Sequence, residues 1–136
     1  MVTPIRLQKS RTQKRISPNG LEVQYVGRGK GEKAQLLGNP FKVSEKVPQW
    51  YLDLVGEVMG IQDFHHLFLD EDTIADNYEC VQVFDNYLRC LSLSDKEKYS
   101  KIMQLCKDKN LECWCRLDAP CHADILLRRC KEFFKN

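Results

Sequence analysis

The chain has 136 residues, the size of one ordinary domain, and we expect a single domain over residues 1–136. Hydrophobic residues make up 43% and charged residues 29%, which excludes wholesale disorder. No apolar run approaches the ~18 residues of a bilayer span, and the first residues lack the apolar stretch of a signal peptide. The sequence therefore predicts a cytoplasmic protein without a membrane partner.

Charge is distributed unevenly, although the net charge is only +2. Residues 1–46 carry ten Lys and Arg against three acidic residues. Residues 47–95 carry one Arg against ten acidic residues, and residues 96–136 return to ten against six. An anion-binding surface is therefore expected to be built from the two ends of the chain.

Hydrophobic periodicity predicts two strands and four helices, and two further segments are polar. The predicted strands cover residues 21–25 and 111–115. The predicted helices cover residues 47–59, 73–91 and 94–107, and a last helix opens at Pro120. The polar segments are a basic N-terminal segment, 1–20, and an acidic loop insertion, 60–77.

This order of elements favours an α/β fold: a small domain of two or three layers, with a short, mostly parallel sheet and about four helices. In parallel sheets, ligands bind beyond the carboxyl ends of the strands. The loops at 27–41 and 116–122 both follow predicted strands. We therefore expect the two loops to share one edge of the sheet.

Seven cysteines are many for this length, and in a reducing compartment they are core side chains, metal ligands or reactive thiols. The densest group is Cys113, Cys115, Cys121 and His122, followed by Asp124. One interpretation is a tetrahedral zinc site of the three cysteines and His122, although the spacing differs from that of common zinc motifs. A second is a reactive Cys121 with His122 and Asp124 as acid–base groups, since a helix start lowers a thiol pKa. In the third, Cys113 and Cys115 are buried apolar side chains and His122 is a cap.

A glycine-rich basic loop is the second candidate for chemistry. Backbone amides at Gly27 and Gly29 can approach a phosphate group, and the guanidinium of Arg28 can pair with it. Gly38 and Asn39 form a turn in which the Asn39 amide can hydrogen-bond a sugar or a base. The alternative interpretation is an ordinary surface turn.

The order of these short motifs resembles an uncharacterised domain family of phages and bacteria. The motifs that carry the resemblance are Arg6-x-Gln8-x-x-Arg11, Val26-Gly27-Arg28-Gly29, Gly38-Asn39-Pro40-Phe41, Leu111-x-Cys113-Trp114-Cys115 and Pro120-Cys121-His122-Ala123-Asp124. The resemblance implies that Arg28, Asn39, His122 and Asp124 meet at one pocket. It also implies a phage–host setting, with the protein in the host cytoplasm if a phage encodes it.

Three functional hypotheses follow. The first is a domain that binds or processes an anionic, nucleotide-like small molecule, with catalytic His122, Asp124 and Cys121 if it is an enzyme. The second is a zinc-stabilised protein-interaction module without catalysis. The third is nucleic-acid binding by the basic N-terminal segment, whose first 20 residues contain five basic and no acidic side chains.

Overall fold

A computed structural model describes residues 2–11, 17–60 and 73–135. In chain order its elements are β1 (Arg6–Gln8), β2 (Val23–Tyr25), α1 (Glu32–Leu37), α2 (Gln49–Val58), α3 (Asn77–Ser94), α4 (Lys96–Cys106), β3 (Asn110–Cys113) and α5 (His122–Phe133). Within the described residues these are five helices and three strands, which confirms the predicted small α/β class. None of the described helices is long and apolar enough to cross a membrane.

The three strands form a parallel sheet in the order β1-β3-β2. Gln8 is opposite Cys113 on one side of the central strand, and Tyr25 is opposite Glu112 on the other. All four residues of β3 are buried, as is usual for the central strand of a parallel sheet. The carboxyl ends of the three strands therefore lie at the same edge.

Two elements differ from the sequence-based expectation. β1 lies within the segment that the sequence indicates only as polar and basic. Its own sequence pattern does not indicate a strand, because the strand is stabilised by pairing with the distant β3. α1 lies within the predicted loop 27–41, where Gly31 precedes a short run of good helix formers. Most of the predicted acidic loop, 61–72, lies outside the described residues.

The chain forms two compact units. One unit consists of residues 1–38 and 101–136 and contains the sheet. In it, α5 packs against β3 and β1, and the Cys130 thiol donates to the backbone oxygen of Met103 in α4 at 3.5 Å.

The second unit, residues 39–100, is built on the packing of α2 against α3. Its aromatic core places the ring centroid of Phe41 5.0 Å from that of Tyr51 and 5.8 Å from that of Tyr87. Asp76 caps α3 by accepting the backbone N–H of Glu79 at 2.9 Å.

Candidate metal centre

Three cysteines converge at the carboxyl edge of the sheet. Cys113 ends β3, Cys115 follows two residues later, and Cys121 is the N-cap of α5. Their sulfur atoms all lie within 4.8 Å of one another, and those of Cys113 and Cys121 are 2.9 Å apart. Cys113 and Cys121 are buried and Cys115 is partly buried. We call these three residues the cysteine cluster.

Local structure explains why residues eight positions apart meet. Side chains alternate along an extended chain, so Cys113 and Cys115 point to the same side. The following loop turns back, with the backbone N–H of Ala119 donating to the oxygen of Arg116 at 3.0 Å. The turn delivers Cys121 to the start of α5, beside the sulfur of Cys113.

His122 is held by a hydrogen bond to the end of β2. Its Nε2 lies 2.6 Å from the backbone oxygen of Val26, and the imidazole is buried. Because a carbonyl oxygen only accepts hydrogen bonds, Nε2 carries the proton and, in the neutral ring, Nδ1 keeps its lone pair. Nδ1 lies 3.8 Å from the sulfur of Cys121, so the lone pair is adjacent to the cysteine cluster.

Arg6 brings a positive charge to the same place, with its side chain only 8% exposed. Its Nη2 donates to the backbone oxygen of Leu117 at 2.7 Å and to that of Arg116 at 3.3 Å, and its Nε lies 3.4 Å from Asp124 Oδ1. Its Nη1 is buried and has no hydrogen-bond partner among the residues that the structure describes. Arg6 therefore ties β1 to the loop that joins Cys115 to Cys121.

The pKa of Cys121 is shifted in the opposite direction to the pKa values of the other two thiols of the cluster. The hydrogen bond between Cys113 and Cys121 raises the pKa of Cys113 and lowers the pKa of Cys121. Burial opposes the lowered pKa of Cys121, whereas hydrogen bonds with His122 and the backbone N–H of Ala123 add to it. Burial and the hydrogen bond to Cys121 raise the pKa of Cys115. Cys121 is therefore the position where a thiolate is best stabilised.

The same environment affects Arg6. Burial lowers the pKa of Arg6, but its interaction with Cys121 and the charge of Asp124 outweigh burial, and the pKa is raised. The guanidinium is consequently positive at every pH at which the protein is handled. A permanent positive charge beside several sulfurs favours their ionised forms.

This arrangement fits a zinc ion. Zinc–sulfur bonds of about 2.3 Å in a tetrahedron separate two sulfurs by about 3.8 Å. The three sulfurs of the cluster all lie within 4.8 Å of one another, and the 2.9 Å between Cys113 and Cys121 would lengthen around an ion. His122 Nδ1 lies 3.8 Å from Cys121 Sγ. The carbonyl of Val26 orients His122 in the way that outer-shell acceptors orient metal-ligating histidines.

Two of the glycines predicted at the binding site, Gly27 and Gly38, lie where a side chain would not fit. A Cβ at Gly27 would clash with the ring of Tyr25. A Cβ at Gly38 would lie 2.7 Å from the backbone oxygen of Ala34 and 3.3 Å from that of Gly27. Gly29 meets only ordinary contact distances. Close packing accounts for Gly27 and Gly38, and a phosphate-binding role for this loop stays a prediction.

The remaining predicted site residues, Arg28, Asn39 and Asp124, are not part of the cysteine cluster. Arg28 is exposed, and its backbone oxygen accepts the Tyr25 hydroxyl at 3.0 Å. Asn39 belongs to the second unit, where its side-chain oxygen accepts the N–H of Phe41 at 2.9 Å and its nitrogen donates to the sulfur of Cys80 at 3.5 Å. The carboxylate of Asp124 is 51% exposed and pairs with Arg6. Among the predicted residues, the structure brings together the cysteine cluster and His122.

Sequence reasoning missed two partners of this site. The sequence places Arg6 among the basic residues of the N-terminal segment and in the first motif of the family resemblance, but no local pattern shows that its side chain reaches a loop more than a hundred residues later. The Val26 carbonyl is a backbone group, so no residue type indicates its bond to His122.

A family model described as a domain of unknown function (DUF4326) matches residues 6–132. The match covers nearly the whole chain, including every residue of the cysteine cluster, Arg6 and His122. No curated protein and no solved structure matches this chain.

Proposed function

The chain belongs to the DUF4326 family, and we propose that it is a binding module whose interaction surface is organised by a zinc ion held by Cys113, Cys115 and Cys121. One observation carries the proposal: three sulfurs from two separate elements lie within 4.8 Å of one another. Nδ1 of His122, 3.8 Å from the Cys121 sulfur, would supply the fourth ligand. Cysteine and histidine are the ligand types that zinc prefers.

The ion would hold an edge of the sheet that includes an irregular segment. β3 has four residues, and the loop from Trp114 to Pro120 that follows it has no regular structure. Zinc bonded to Cys113 and Cys121 ties the end of β3 to the start of α5. Its binding free energy then contributes directly to the folding of that edge.

Arg6 makes such a centre electrostatically reasonable. Three thiolates around a divalent ion leave one net negative charge, and burying it without a partner is costly. The guanidinium of Arg6 is largely buried and lies beside Cys121. Its positive charge would offset the net negative charge of the metal–thiolate centre.

A second candidate function is catalysis by Cys121 as a nucleophile on a nucleotide-like substrate, with His122 and Asp124 as acid–base groups. The lowered pKa of Cys121 favours it. However, the Cys121 side chain is 1% exposed, and the carboxylate of Asp124 pairs with Arg6. Burial suits a metal ligand better than a nucleophile that must meet a substrate.

Cobalt substitution tests the proposed centre. We expect Co²⁺ added to reduced, chelator-treated protein to give the intense visible bands of a tetrahedral site and thiolate-to-cobalt charge transfer, saturating at one equivalent and bleached by Zn²⁺. Cys115→Ser should abolish these bands. Cys130→Ser is the matched control, because it changes a thiol in α5 that donates to Met103 rather than a ligand. A wild-type spectrum of six-coordinate, oxygen-bound cobalt would contradict the proposal.

A further inference from the structure

An exposed indole with two cations lies at the sheet edge beside the cysteine cluster. Trp114 is 47% exposed although it directly follows the buried β3. The Lys9 ammonium lies 5.6 Å from the Trp114 ring centroid and 4.5 Å from that of Tyr25. The Arg11 guanidinium lies 5.8 Å from the Trp114 ring centroid. We call Lys9, Arg11, Tyr25 and Trp114 the edge patch.

The sheet fixes the positions of these residues. Lys9 follows β1, Tyr25 ends β2 and Trp114 follows β3, so each of the three parallel strands contributes one of them. The backbone N–H of Lys9 donates to the oxygen of Cys113 at 2.7 Å, which extends the β1–β3 pairing by one bond. The edge patch therefore lies at the carboxyl edge, where parallel sheets bind ligands.

We propose that the edge patch binds single-stranded nucleic acid, with a base stacked on Trp114 and phosphates paired with Lys9 and Arg11. This inference names a partner for the surface that the zinc centre would organise. It rests on the proposed function, because Trp114 stands between two of the proposed zinc ligands, Cys113 and Cys115. An aromatic platform combined with positive charge is the usual arrangement for a single strand. Both cations lie within 6 Å of the Trp114 ring centroid, so a base stacked on the exposed part of the indole would have its phosphate groups beside them.

The openness of the patch favours a strand over a free mononucleotide. Trp114 and Arg11 are exposed, whereas small-molecule sites enclose most of their ligand. A strand can enter and leave an open surface and gain contacts from several nucleotides. Charge agrees with this choice, since the first 20 residues of the chain contain no acidic side chain to repel a polyanion.

Tryptophan fluorescence tests the proposal directly. The chain has two tryptophans, so Trp50→Phe leaves Trp114 as the only one, and excitation at a wavelength that tyrosine does not absorb isolates its emission. We titrate this zinc-loaded protein with a single-stranded oligothymidylate, a duplex of the same length and thymidine monophosphate. We expect the single strand to quench Trp114 emission, with an affinity that falls as salt rises. Duplex and mononucleotide should bind at least tenfold more weakly.

Three substitutions assign the contacts, the two charge changes being made in the Trp50→Phe background. Lys9→Gln and Arg11→Gln should each weaken oligonucleotide binding at low salt and reduce the salt dependence by about one phosphate contact. Trp114→Leu, measured in the wild-type background with a fluorescently labelled strand, should weaken binding about tenfold or more. Lys131→Gln is the matched control, because it removes an exposed charge from the last turn of α5, away from the edge patch.

The results separate this inference from the zinc proposal. Unchanged affinity in Trp114→Leu, or equal binding of thymidine monophosphate and the oligonucleotide, would overturn single-strand binding even if zinc is present. Oligonucleotide binding by wild-type protein that contains no zinc would support the edge patch and contradict the metal centre. Equal effects of Lys131→Gln and Lys9→Gln would show non-specific charge attraction and would also overturn the inference.

Discussion

The imidazole of His122 donates from Nε2 to the backbone oxygen of Val26, and the two atoms are 2.6 Å apart. This bond joins the start of α5 to the end of β2. Val26 is also anchored to the central strand, because its N–H donates to the oxygen of Glu112 at 2.8 Å. One side chain thereby fixes the neighbouring strand end relative to the helix that carries Cys121.

The bond predicts a stability effect of His122 that does not depend on metal. In chelator-treated protein, His122→Ala should lower the free energy of unfolding by about 1–3 kcal/mol, because it leaves a buried carbonyl without a donor. His122→Gln should lose less, since its amide can donate to the same carbonyl. Urea unfolding measures both values. Equal stability of wild type and His122→Ala would show that the bond contributes nothing.

Arg6 should be as important for folding as a core residue. Arg6→Gln removes charged hydrogen bonds to the oxygens of Leu117 and Arg116, and we expect a loss of about 1.5–3 kcal/mol in urea unfolding. Asp124→Asn, which changes only the half-exposed partner, should cost less than ~1 kcal/mol. If the two substitutions have the same small effect, Arg6 does not organise the loop.

How far the sequence predicts this fold depends on the range of the interactions. The helices around Tyr51 and Phe84 follow from the local spacing of apolar residues, and the capping pattern before α4 indicates its start, although Asp95 rather than Ser94 accepts the N–H of Lys98. β1 is not predictable in this way, because its three residues become a strand only by pairing with β3. Phe133 shows the opposite case: it continues the apolar spacing of the last helix, which predicts burial, yet it is 41% exposed at the end of α5.

The candidate site was predictable only in part for the same reason. Strand alternation and the helix start bring Cys113, Cys115 and Cys121 together as local features. The bond from His122 to Val26 and the reach of Arg6 to Leu117 are tertiary contacts between distant segments. The side-chain oxygen of Asn39 accepts the N–H of Phe41 two residues later, as is usual in turns, and a ligand-binding role for its amide stays a prediction.

Tyr51 gives the second unit a stability that depends on pH. Burial raises the pKa of Tyr51 from 10.0 to about 12, although the hydrogen bond from Asn86 acts in the opposite direction. The folded protein therefore favours the neutral phenol. Its contribution is fully present below pH 10 and is lost as the pH rises from 10 to 12, by roughly 3 kcal/mol in total.

Buried Cys106 also has a pKa raised to about 12, so its titration changes stability in the same pH range. Comparison of wild type with Tyr51→Phe separates the contribution of Tyr51 from that of Cys106. At pH 8 the variant should be about 1 kcal/mol less stable, since it loses the hydrogen bond with Asn86. Between pH 10 and 12 it should lose less stability than wild type. Parallel pH profiles of unfolding free energy for the two proteins would refute the assignment.

Zinc should stabilise the protein by mass action. At a free zinc concentration 100 times the dissociation constant, the gain is about 2.7 kcal/mol, and thermal unfolding should shift upward accordingly. Cys115→Ser should retain a folded apo protein, because Cys115 is only partly buried, but should lose the zinc-dependent shift. A shift of the same size in Cys115→Ser would place the metal elsewhere.

Native mass spectrometry of protein purified in zinc-containing medium without chelators tests the central claim most directly. The account predicts one zinc ion per wild-type chain and per Cys130→Ser chain, and none in Cys113→Ser or Cys121→Ser. It also predicts that an alkylating reagent modifies the cysteine cluster only after zinc is removed. A wild-type mass equal to that of the bare chain, with Cys113, Cys115 and Cys121 alkylated as readily before chelation as after it, would contradict the account.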